Sequence, residues 1–518
     1  MRSKEQLKKR VGQLFSVGFE GRIVTDEIKT LIHEYHVGSI ILFSQNITSV
    51  HQAKELTAAL QTEAKVAGYE KPLLISIDQE NGVVSRMPID VREFPGAMLL
   101  GATKDPKKAE ISYYYSALEL KKMGINWNLA PTLDINNNPM NPVIGVRSFG
   151  ETEEQVASFG VSAIKGIQRA HVIATAKHFP GHGDTSVDSH LDLPVINTSL
   201  ERLREKELQP FKKAIDAGVE TIMTAHVYFP SIEENNRPAS LSSRVMQDLL
   251  REELGFKGVV ITDSLGMKAI SDKYGVARGA VEALKAGADL AMVSHVYQDQ
   301  IDALEAVIEA VESGELDNAA IETSLKRLSN LKDKYALKKI PNDLEVLSSE
   351  ELLDIYANGI TVVRKSPNFP FVGKANEKAL LILPEILNLT GIEEENEKER
   401  SMTSQLRNSN YDWTEATLTN ANFKSLIEEA DHYDLVVIGT INVKDSSENV
   451  VRLCEALKNH SRLVVLSLRN PYDLRYLPAE IVNYVVSYEF STSAIILALE
   501  GIMGLKNLSG NLPVTVDF

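Results

Sequence analysis

The stretch Val172-Ile173-Ala174-Thr175-Ala176-Lys177-His178 places ionisable side chains shortly after an apolar run. Short apolar runs of this kind are typical of strands buried in a parallel sheet. Similar runs recur in the first 340 residues, at 39–43, 73–77, 128–133, 221–223, 259–261 and 290–293. Amphipathic segments such as 201–217 separate them. This alternation of strands and helices predicts an α/β fold with a parallel sheet.

Most of these runs end in a residue that can ionise. The strand ends supply Asp78, Asp134, Lys177, His178, His226, Asp263 and His295. In a (β/α)8 barrel, side chains from the carboxyl ends of many strands meet at one mouth. An open, doubly wound sheet instead places its chemistry mainly at one switch point. We therefore predict a (β/α)8 TIM-like catalytic barrel over residues 1–340.

The length of 518 residues favours a second domain after the barrel. The charged stretch 338–343 contains Pro341 and is typical of a domain edge. We predict a linker at 341–355 and a smaller, open α/β sandwich domain at 356–518. Its strands are expected at 360–363, 379–383, 435–438, 463–466 and 482–486.

Composition excludes several classes of partner. The net charge of −16 argues against a nucleic acid, because phosphate binding needs a basic surface. No apolar run approaches the ~20 residues that cross a bilayer, and no signal-peptide core follows the basic N-terminus. We therefore expect no membrane partner and a cytoplasmic location. Cys454 is the only cysteine, so no intrachain disulfide is possible, and its neighbours predict a buried helix position.

The segment 177–190 concentrates histidines and aspartates around a Pro-Gly pair. Asp188 precedes His190 by two residues, so it can accept a hydrogen bond from one ring nitrogen while the other faces a substrate. A histidine with a pKa near ~6.5 can exchange a proton at neutral pH, which suits acid/base chemistry. Asp263 ends the run 259–261 and could serve as a nucleophile, a metal ligand or a helix cap.

Substrate contacts and a metal site are further interpretations of these strand ends. Asp78 can accept hydrogen bonds from two vicinal hydroxyls of a sugar, and Arg147 lies on a loop flanked by glycines. The possible metal ligands are His178, His182, Asp184, Asp188 and His190. Their spacing matches no familiar ligand pattern, and Lys177 would repel a cation. We therefore predict no metal and no cofactor.

The motifs together resemble glycoside hydrolase family 3, and within it the β-N-acetylhexosaminidase branch that trims cell-wall muropeptides. The resemblance covers the segments 77–80, 128–134, 147–150, 177–185, 188–190, 223–226 and 260–267, in the family's order. The tail 504–516 resembles the end of the second domain in two-domain members. Asn81 and Val146 depart from the family's usual glycine and polar residue.

The resemblance implies a role for each matching residue. Asp263 is expected to be the nucleophile, His190 the acid/base and Asp188 its orienting partner. The residues expected to hold an N-acetylglucosamine unit are Asp78, Arg86, Arg147, Lys177 and His178, with His226 and Met267 lining the pocket. The second domain need not supply a catalytic residue, because the Asp-Ser-His segment already provides the acid/base.

The expected activity is a retaining, exo-acting β-N-acetylglucosaminidase that uses a covalent glycosyl-enzyme. A phosphorylase is an alternative, because a neutral imidazole repels an anionic acceptor less than a carboxylate does. A sugar-binding protein without activity and a metal-dependent hydrolase are further alternatives. The sequence leaves open whether the saccharide substrate is a muropeptide or a chitin fragment, and it leaves the oligomeric state open.

Overall fold

The computed structural model describes residues 4–185, 192–336, 338, 347–385, 402–406 and 409–516. The predicted acid/base pair, Asp188 and His190, lies outside the described residues. So does the segment 341–346 at the start of the predicted linker. The domain boundaries therefore stay predictions, while the elements on either side of them are defined.

Eight parallel strands close into a barrel in chain order, which confirms the fold prediction. The strands are β1 (Phe15–Val17), β2 (Ser39–Leu42), β3 (Leu74–Ile77), β4 (Trp127–Asn128), β5 (Ile173–Phe179), β6 (Thr221–Thr224), β7 (Val259–Ser264) and β8 (Leu290–Val293). Strand β1 pairs with both β2 and β8, so the barrel has no open edge.

Helices surround this barrel and connect successive strands. They are α1 (Lys4–Gly12), α2 (Asp26–His33), α3 (Val50–Val66), α4 (Ala97–Ala102), α5 (Pro106–Lys122), α6 (Glu153–Arg169), α7 (Leu200–Glu205), α8 (Leu208–Asp216), α9 (Lys268–Tyr274), α10 (Val276–Ala286), α11 (Tyr297–Glu312) and α12 (Asn318–Tyr335). A π-helical segment, Arg244–Glu253, precedes β7. Among the described residues, no helix combines the length and apolar character that crossing a bilayer requires.

The polar side chains buried in the barrel are paired with one another. The Ser16 and Ser39 hydroxyls lie 3.2 Å apart, and the Thr175 and Thr221 hydroxyls lie 2.7 Å apart. The Trp127 indole donates to the Thr175 hydroxyl at 2.7 Å. Because a buried polar group without a partner costs free energy, these pairs allow hydroxyls to fill an otherwise apolar barrel.

One element of the barrel differs from the sequence prediction. In the sequence, helical spacing of Leu7, Val11, Leu14 and Phe15 predicts a helix that includes Phe15, but Phe15 begins β1. Helix α1 instead ends at Gly12, where a Cβ atom would lie 1.7 Å from the carbonyl oxygen of Tyr35. A strand of three residues is too short to show the alternation that identifies a strand.

The second domain contains a six-stranded sheet of order β11-β10-β12-β13-β14-β9. Its elements are α13 (Ser349–Gly359), β9 (Thr361–Arg364), β10 (Glu377–Pro384), β11 (Tyr411–Leu418), α14 (Phe423–Ala430), β12 (Leu435–Thr440), α15 (Asn449–Leu457), β13 (Leu463–Ser467), β14 (Tyr484–Val486) and α16 (Thr492–Ile502). Only β9 runs antiparallel to its neighbour. The five predicted strands are present, and Cys454 is buried in α15 as expected.

Strand β11 was missed by the sequence prediction. It lies at the edge of the sheet and mixes exposed and buried positions, so it carries no continuous apolar run. The strand is nevertheless fixed by eight residue pairs with β10, from Glu377↔Tyr411 to Pro384↔Leu418. Backbone pairing at an edge leaves one face open to water, which removes the signal used for the buried strands.

Asp289 joins four parts of the barrel near the start of β8. Its fully buried carboxylate accepts bonds from the Val260 amide at 2.8 Å, from Ser324 Oγ at 2.7 Å and from Arg251 Nη2 at 2.6 Å. Arg327 Nη1 lies 2.9 Å away on α12. The charge therefore ties β7, α12 and the π-helical segment to β8.

We expect Asp289→Asn to lower the free energy of unfolding by about 3–5 kcal/mol, because Arg251 is left as a buried cation without its full counter-charge. Thermal unfolding of parent and variant measures this. Asp354→Asn is the matched control, since its pair with Lys506 is solvent-exposed and is worth at most about 1 kcal/mol. Equal losses in both variants would contradict the proposed importance of Asp289.

Candidate active site

The predicted site residues that belong to described strand ends lie at the carboxyl end of the barrel. Along the register, Phe179 in β5 is level with Thr224 in β6, and Thr224 is level with Thr262 in β7. Asp263 follows Thr262 directly, so it lies at the same height as the end of β5. The strand ends around this mouth carry Asp78, Asp134, Lys177, His178, His226 and Asp263.

Lys177 is fully buried between two carboxylates. Its Nζ atom lies 2.7 Å from Asp78 Oδ1 and 2.6 Å from Glu80 Oε1. Burial lowers the pKa of the Lys177 ammonium, but the charges of Asp78 and Glu80 outweigh it and raise the pKa above its ordinary value. Lys177 therefore stays charged, and it holds the partly exposed Asp78 carboxylate at the mouth.

Arg147 makes a bidentate pair with the same glutamate. Its Nε and Nη2 atoms each lie 2.8 Å from an oxygen of Glu80, and both side chains are buried. Burial would raise the pKa of Glu80, but Arg147 and Lys177 hold it well below its usual range. Asp78, Glu80, Arg147 and Lys177 form what we call the Glu80 network, in which two anions balance two cations.

His178 is oriented by Asp134. Its Nδ1 lies 2.7 Å from Asp134 Oδ2, and its Nε2 lies 3.5 Å from Arg147 Nη2. A carboxylate accepts and a guanidinium only donates, so in the neutral ring the proton belongs on Nδ1. Burial raises the pKa of Asp134, but His178 and the His182 amide, 2.6 Å away, outweigh it and lower the pKa.

Asp263 is half-buried near the end of β7, with the Ser264 amide 2.7 Å from its Oδ1. His226 braces this strand end, because its Nε2 donates to the Ser264 carbonyl at 2.9 Å. The Ser240 hydroxyl then donates to Nδ1 at 2.6 Å. Ser264 Oγ also lies 2.6 Å from Ser294 Oγ on the neighbouring β8 loop. The carboxylate thus projects from a backbone that is held on two sides.

Arg86 and Met267 complete the described part of the predicted set. Arg86 is buried, and its amide donates to Gln79 Oε1 at 2.7 Å, which fixes the turn after β3. Met267 closes a turn with Ser264 through a 3.1 Å backbone hydrogen bond. Both residues therefore belong to loops that follow the strands bearing Asp78 and Asp263. Whether they contact a sugar stays a prediction.

The sequence prediction gave no role to Glu80 or Asp134, although both connect predicted site residues. Glu80 is the counter-ion of two cations, and Asp134 holds His178. A signal for Glu80 was present, because two buried cations in one site require counter-charges. In the sequence, Asp134 is visible as an acidic strand end within the segment 128–134, but nothing there indicates its partner.

The possible metal ligands that the structure describes do not form a metal-binding cluster. There, no cluster of three or more His, Cys, Asp or Glu side chains could hold an ion. His182 Nδ1 instead lies 3.1 Å from Thr185 Oγ1. Burial lowers the pKa of His182 to about 4, which keeps its ring neutral at pH 7.

The second domain reaches the back of the Glu80 network. A small cavity of about 10 Å³ has Glu80 and Arg147 on one wall and Tyr488 and Glu489 on the other. Glu489 Oε2 accepts a hydrogen bond from the Gly96 amide at 2.8 Å. Burial raises the pKa of Glu489 to about 7. The domain therefore contributes a wall close to the predicted sugar-binding residues.

Comparisons with known proteins agree with this geometry. The profile "Glycosyl hydrolase family 3 N terminal domain" matches residues 6–331. Beta-hexosaminidase A of Pseudoalteromonas piscicida is 38% identical over 330 residues, which cover 60% of this chain and 55% of that protein. A beta-hexosaminidase of Stenotrophomonas maltophilia is 33% identical over 311 residues, which cover 59% of this chain and 89% of that protein.

A solved structure resembles the whole chain. The glycoside hydrolase family 3 beta-N-acetylglucosaminidase of Paenibacillus sp. str. FPU-7 is 40% identical, with a TM-score of 0.92, and the match covers 98% of this chain and 99% of that one. A (β/α)8 barrel with this mouth and these relatives defines a glycoside hydrolase. The chain belongs to glycosyl hydrolase family 3.

We expect Glu80→Gln to lower the free energy of unfolding at pH 7 by about 3 kcal/mol or more, because two buried cations lose their counter-charge. The folded-state pKa of Glu80 is depressed, so its contribution is present above the unfolded value of about 4.3 and declines below it. The difference between parent and variant in thermal unfolding should therefore shrink as the pH falls below about 4.3.

Glu377→Gln provides the control for this prediction. Glu377 pairs with Arg462 at 2.9 Å in the second domain, but both side chains are partly exposed. Such a pair contributes about 0–1 kcal/mol. A difference for Glu80→Gln that is as small as the control's, or that does not change with pH, would contradict the role assigned to Glu80.

Proposed function

We propose that the protein is a retaining exo-β-N-acetylglucosaminidase that releases N-acetylglucosamine from cell-wall muropeptides or chitin fragments. The observation that carries the proposal is the placement of Asp263 at the same barrel mouth as the Glu80 network. The Paenibacillus relative, which matches nearly the whole chain, is named as a beta-N-acetylglucosaminidase. The predicted cytoplasmic location adds no support and stays a prediction.

The Glu80 network offers the groups that would hold the sugar. The partly exposed Asp78 carboxylate can accept from two vicinal hydroxyls, while Lys177 Nζ, 2.7 Å from its Oδ1, holds it in place. Arg147 Nη2 and His178 Nε2 lie 3.5 Å apart in the same site. Arg147 can donate hydrogen bonds to the sugar, and His178 Nε2 can accept one. Arg86, His226 and Met267 are proposed to complete the pocket.

The proposed reaction has two steps. His190, as imidazolium, gives its proton to the leaving glycosidic oxygen while an oxygen of Asp263 bonds to the anomeric carbon. Neutral His190 then takes a proton from water, whose oxygen attacks the same carbon and releases Asp263. Asp188 accepts a hydrogen bond from the other ring nitrogen.

We expect Asp263→Asn to lower kcat for an aryl N-acetyl-β-glucosaminide by about 10³-fold or more, because an amide cannot form the glycosyl ester. Steady-state hydrolysis measures the loss. Asp272→Asn changes an exposed aspartate on α9 and should keep the parent rate. A slow-turnover fluorinated N-acetylglucosaminide should label Asp263 in peptide mapping. A label on another residue would remove Asp263 as the nucleophile.

We expect His190→Ala to reduce kcat/KM for unactivated glycosides by about 10²–10⁴-fold, and to spare glycosides whose leaving group needs no proton. A series of aryl N-acetyl-β-glucosaminides of increasing leaving-group pKa measures this in the parent and the variant. Added azide should restore the turnover of activated substrates, since it attacks the intermediate without a base. The same loss across the series would rule out general-acid catalysis by His190.

A phosphorylase remains the alternative because a neutral histidine, unlike a carboxylate, does not repel phosphate in the second step. Product analysis with and without inorganic phosphate separates the two activities. Free N-acetylglucosamine as the main product in both conditions supports hydrolysis. N-acetylglucosamine 1-phosphate as the main product in phosphate would replace hydrolase with phosphorylase.

A further inference from the structure

Asn141 lies between two elements of the proposed site and bonds to both. Its side chain is buried, and its Nδ2 atom lies 3.0 Å from the His182 carbonyl oxygen and 2.8 Å from the Gly183 carbonyl oxygen. Thr185 Oγ1 is 3.2 Å from the same atom. One amide group thus holds three residues of the segment 181–185, which we call the loop base.

The other end of the Asn141 amide supports Arg147. Asn141 Oδ1 accepts from the amides of Val143 and Ile144, both at 2.8 Å. The Ile144 carbonyl then accepts the Arg147 amide at 2.8 Å, and the Val143 carbonyl accepts Arg147 Nη1 at 3.1 Å. Asn141 therefore acts on both the backbone and the guanidinium of Arg147 through two adjacent peptides.

Contacts other than those with Asn141 also restrict the loop base. A Cβ atom on Gly183 would lie 1.7 Å from the Ile135 carbonyl oxygen, so the two backbones touch. The His182 amide donates to Asp134 at 2.6 Å, and Asn138 Nδ2 donates to the Thr185 carbonyl at 3.2 Å. These contacts fix the point and the direction in which the chain continues beyond Thr185.

The chain beyond Thr185 leads to the proposed acid/base pair. Asp188 is three residues further on, and three residues reach at most about 10 Å. On the far side, the chain is fixed again, because the Ile196 amide donates to the Tyr228 carbonyl at 3.0 Å and the Tyr228 amide donates to the Pro194 carbonyl at 2.9 Å. The chain is therefore held at Thr185 and again at Pro194, on either side of the residues proposed as the acid/base pair.

We propose that Asn141 is a positioning residue that fixes the loop base relative to Arg147 and through it affects proton transfer by His190. The inference depends on the proposed function, because it assigns Asn141 an effect through His190. An asparagine is required chemically, since only an amide donates to two carbonyls while it accepts two amides. An aspartate at this position would place a carboxylate against the His182 and Gly183 carbonyl oxygens.

The test compares two substrates in the parent and in Asn141→Asp. One is 2,4-dinitrophenyl N-acetyl-β-glucosaminide, which needs no proton at its leaving group, and the other is N,N'-diacetylchitobiose, which does. Any disturbance of Arg147 lowers kcat/KM for both substrates, so the ratio of the two reductions reports on proton transfer. We expect kcat/KM to fall about 100-fold more for the disaccharide, within the range of general-acid catalysis. A ratio near one would overturn the proposal.

Thr185→Val is the second variant, in case Asn141→Asp does not fold. It keeps the shape of the buried Thr185 side chain but removes the hydroxyl that contacts Asn141. The disaccharide should again lose more activity than the aryl glycoside. Asn422→Ala is the control, since Asn422 makes a similar set of bonds to Thr419 and Thr417 in the second domain. A changed ratio in this control would count against the proposal.

Hydrogen exchange of the amides at 182–185 gives a readout that needs no activity. Exchange should rise in Asn141→Asp and stay at the parent rate in Asn422→Ala. Unchanged exchange in Asn141→Asp would overturn the proposal whatever the kinetics show. If the parent cleaves neither substrate, the proposed function is wrong, and exchange still decides whether Asn141 holds the loop base.

Discussion

The burial of two cations at the end of the barrel is the constraint on which the site depends. Lys177 and Arg147 are both removed from water, and an isolated buried charge would cost several kcal/mol. Glu80 satisfies both, with one oxygen shared between Lys177 Nζ and Arg147 Nη2. This requirement fixes the relative positions of the β3 loop, β5 and the loop that carries Arg147, and so sets the height of Asp78.

The same constraint allows charged side chains to lie at the barrel mouth without a large net charge. Within the Glu80 network the charges cancel, so Asp78 is free to offer oxygen lone pairs without adding net charge to the mouth. Asp263 lies near the end of β7, and β6 separates this strand from β5, which carries Lys177.

The sequence predicted the barrel because Asp78, Lys177 and Asp263 each follow an apolar run, a pattern that depends on the strands alone. It missed β1 and β11, since a strand of three residues and an edge strand lack that pattern. It gave no role to Glu80 or Asp134 because their partners lie 44 to 97 residues away along the chain. The fold decides which distant residues form such ion pairs, whereas the sequence itself shows which residues follow a strand. The acid/base pair stays a prediction.

No catalytic residue is proposed in the second domain, yet the domain contacts two loops of the barrel mouth at three points. Tyr472 accepts from Asn136 at 2.9 Å, Glu489 accepts from Gly96, and Glu151 accepts from the Thr515 amide at 2.7 Å. Gly96 and Asn136 follow β3 and β4, whose loops carry Glu80 and Arg147. Loops are in general more mobile than the elements they connect, so these contacts limit the motions that would pull Glu80 away from its cations.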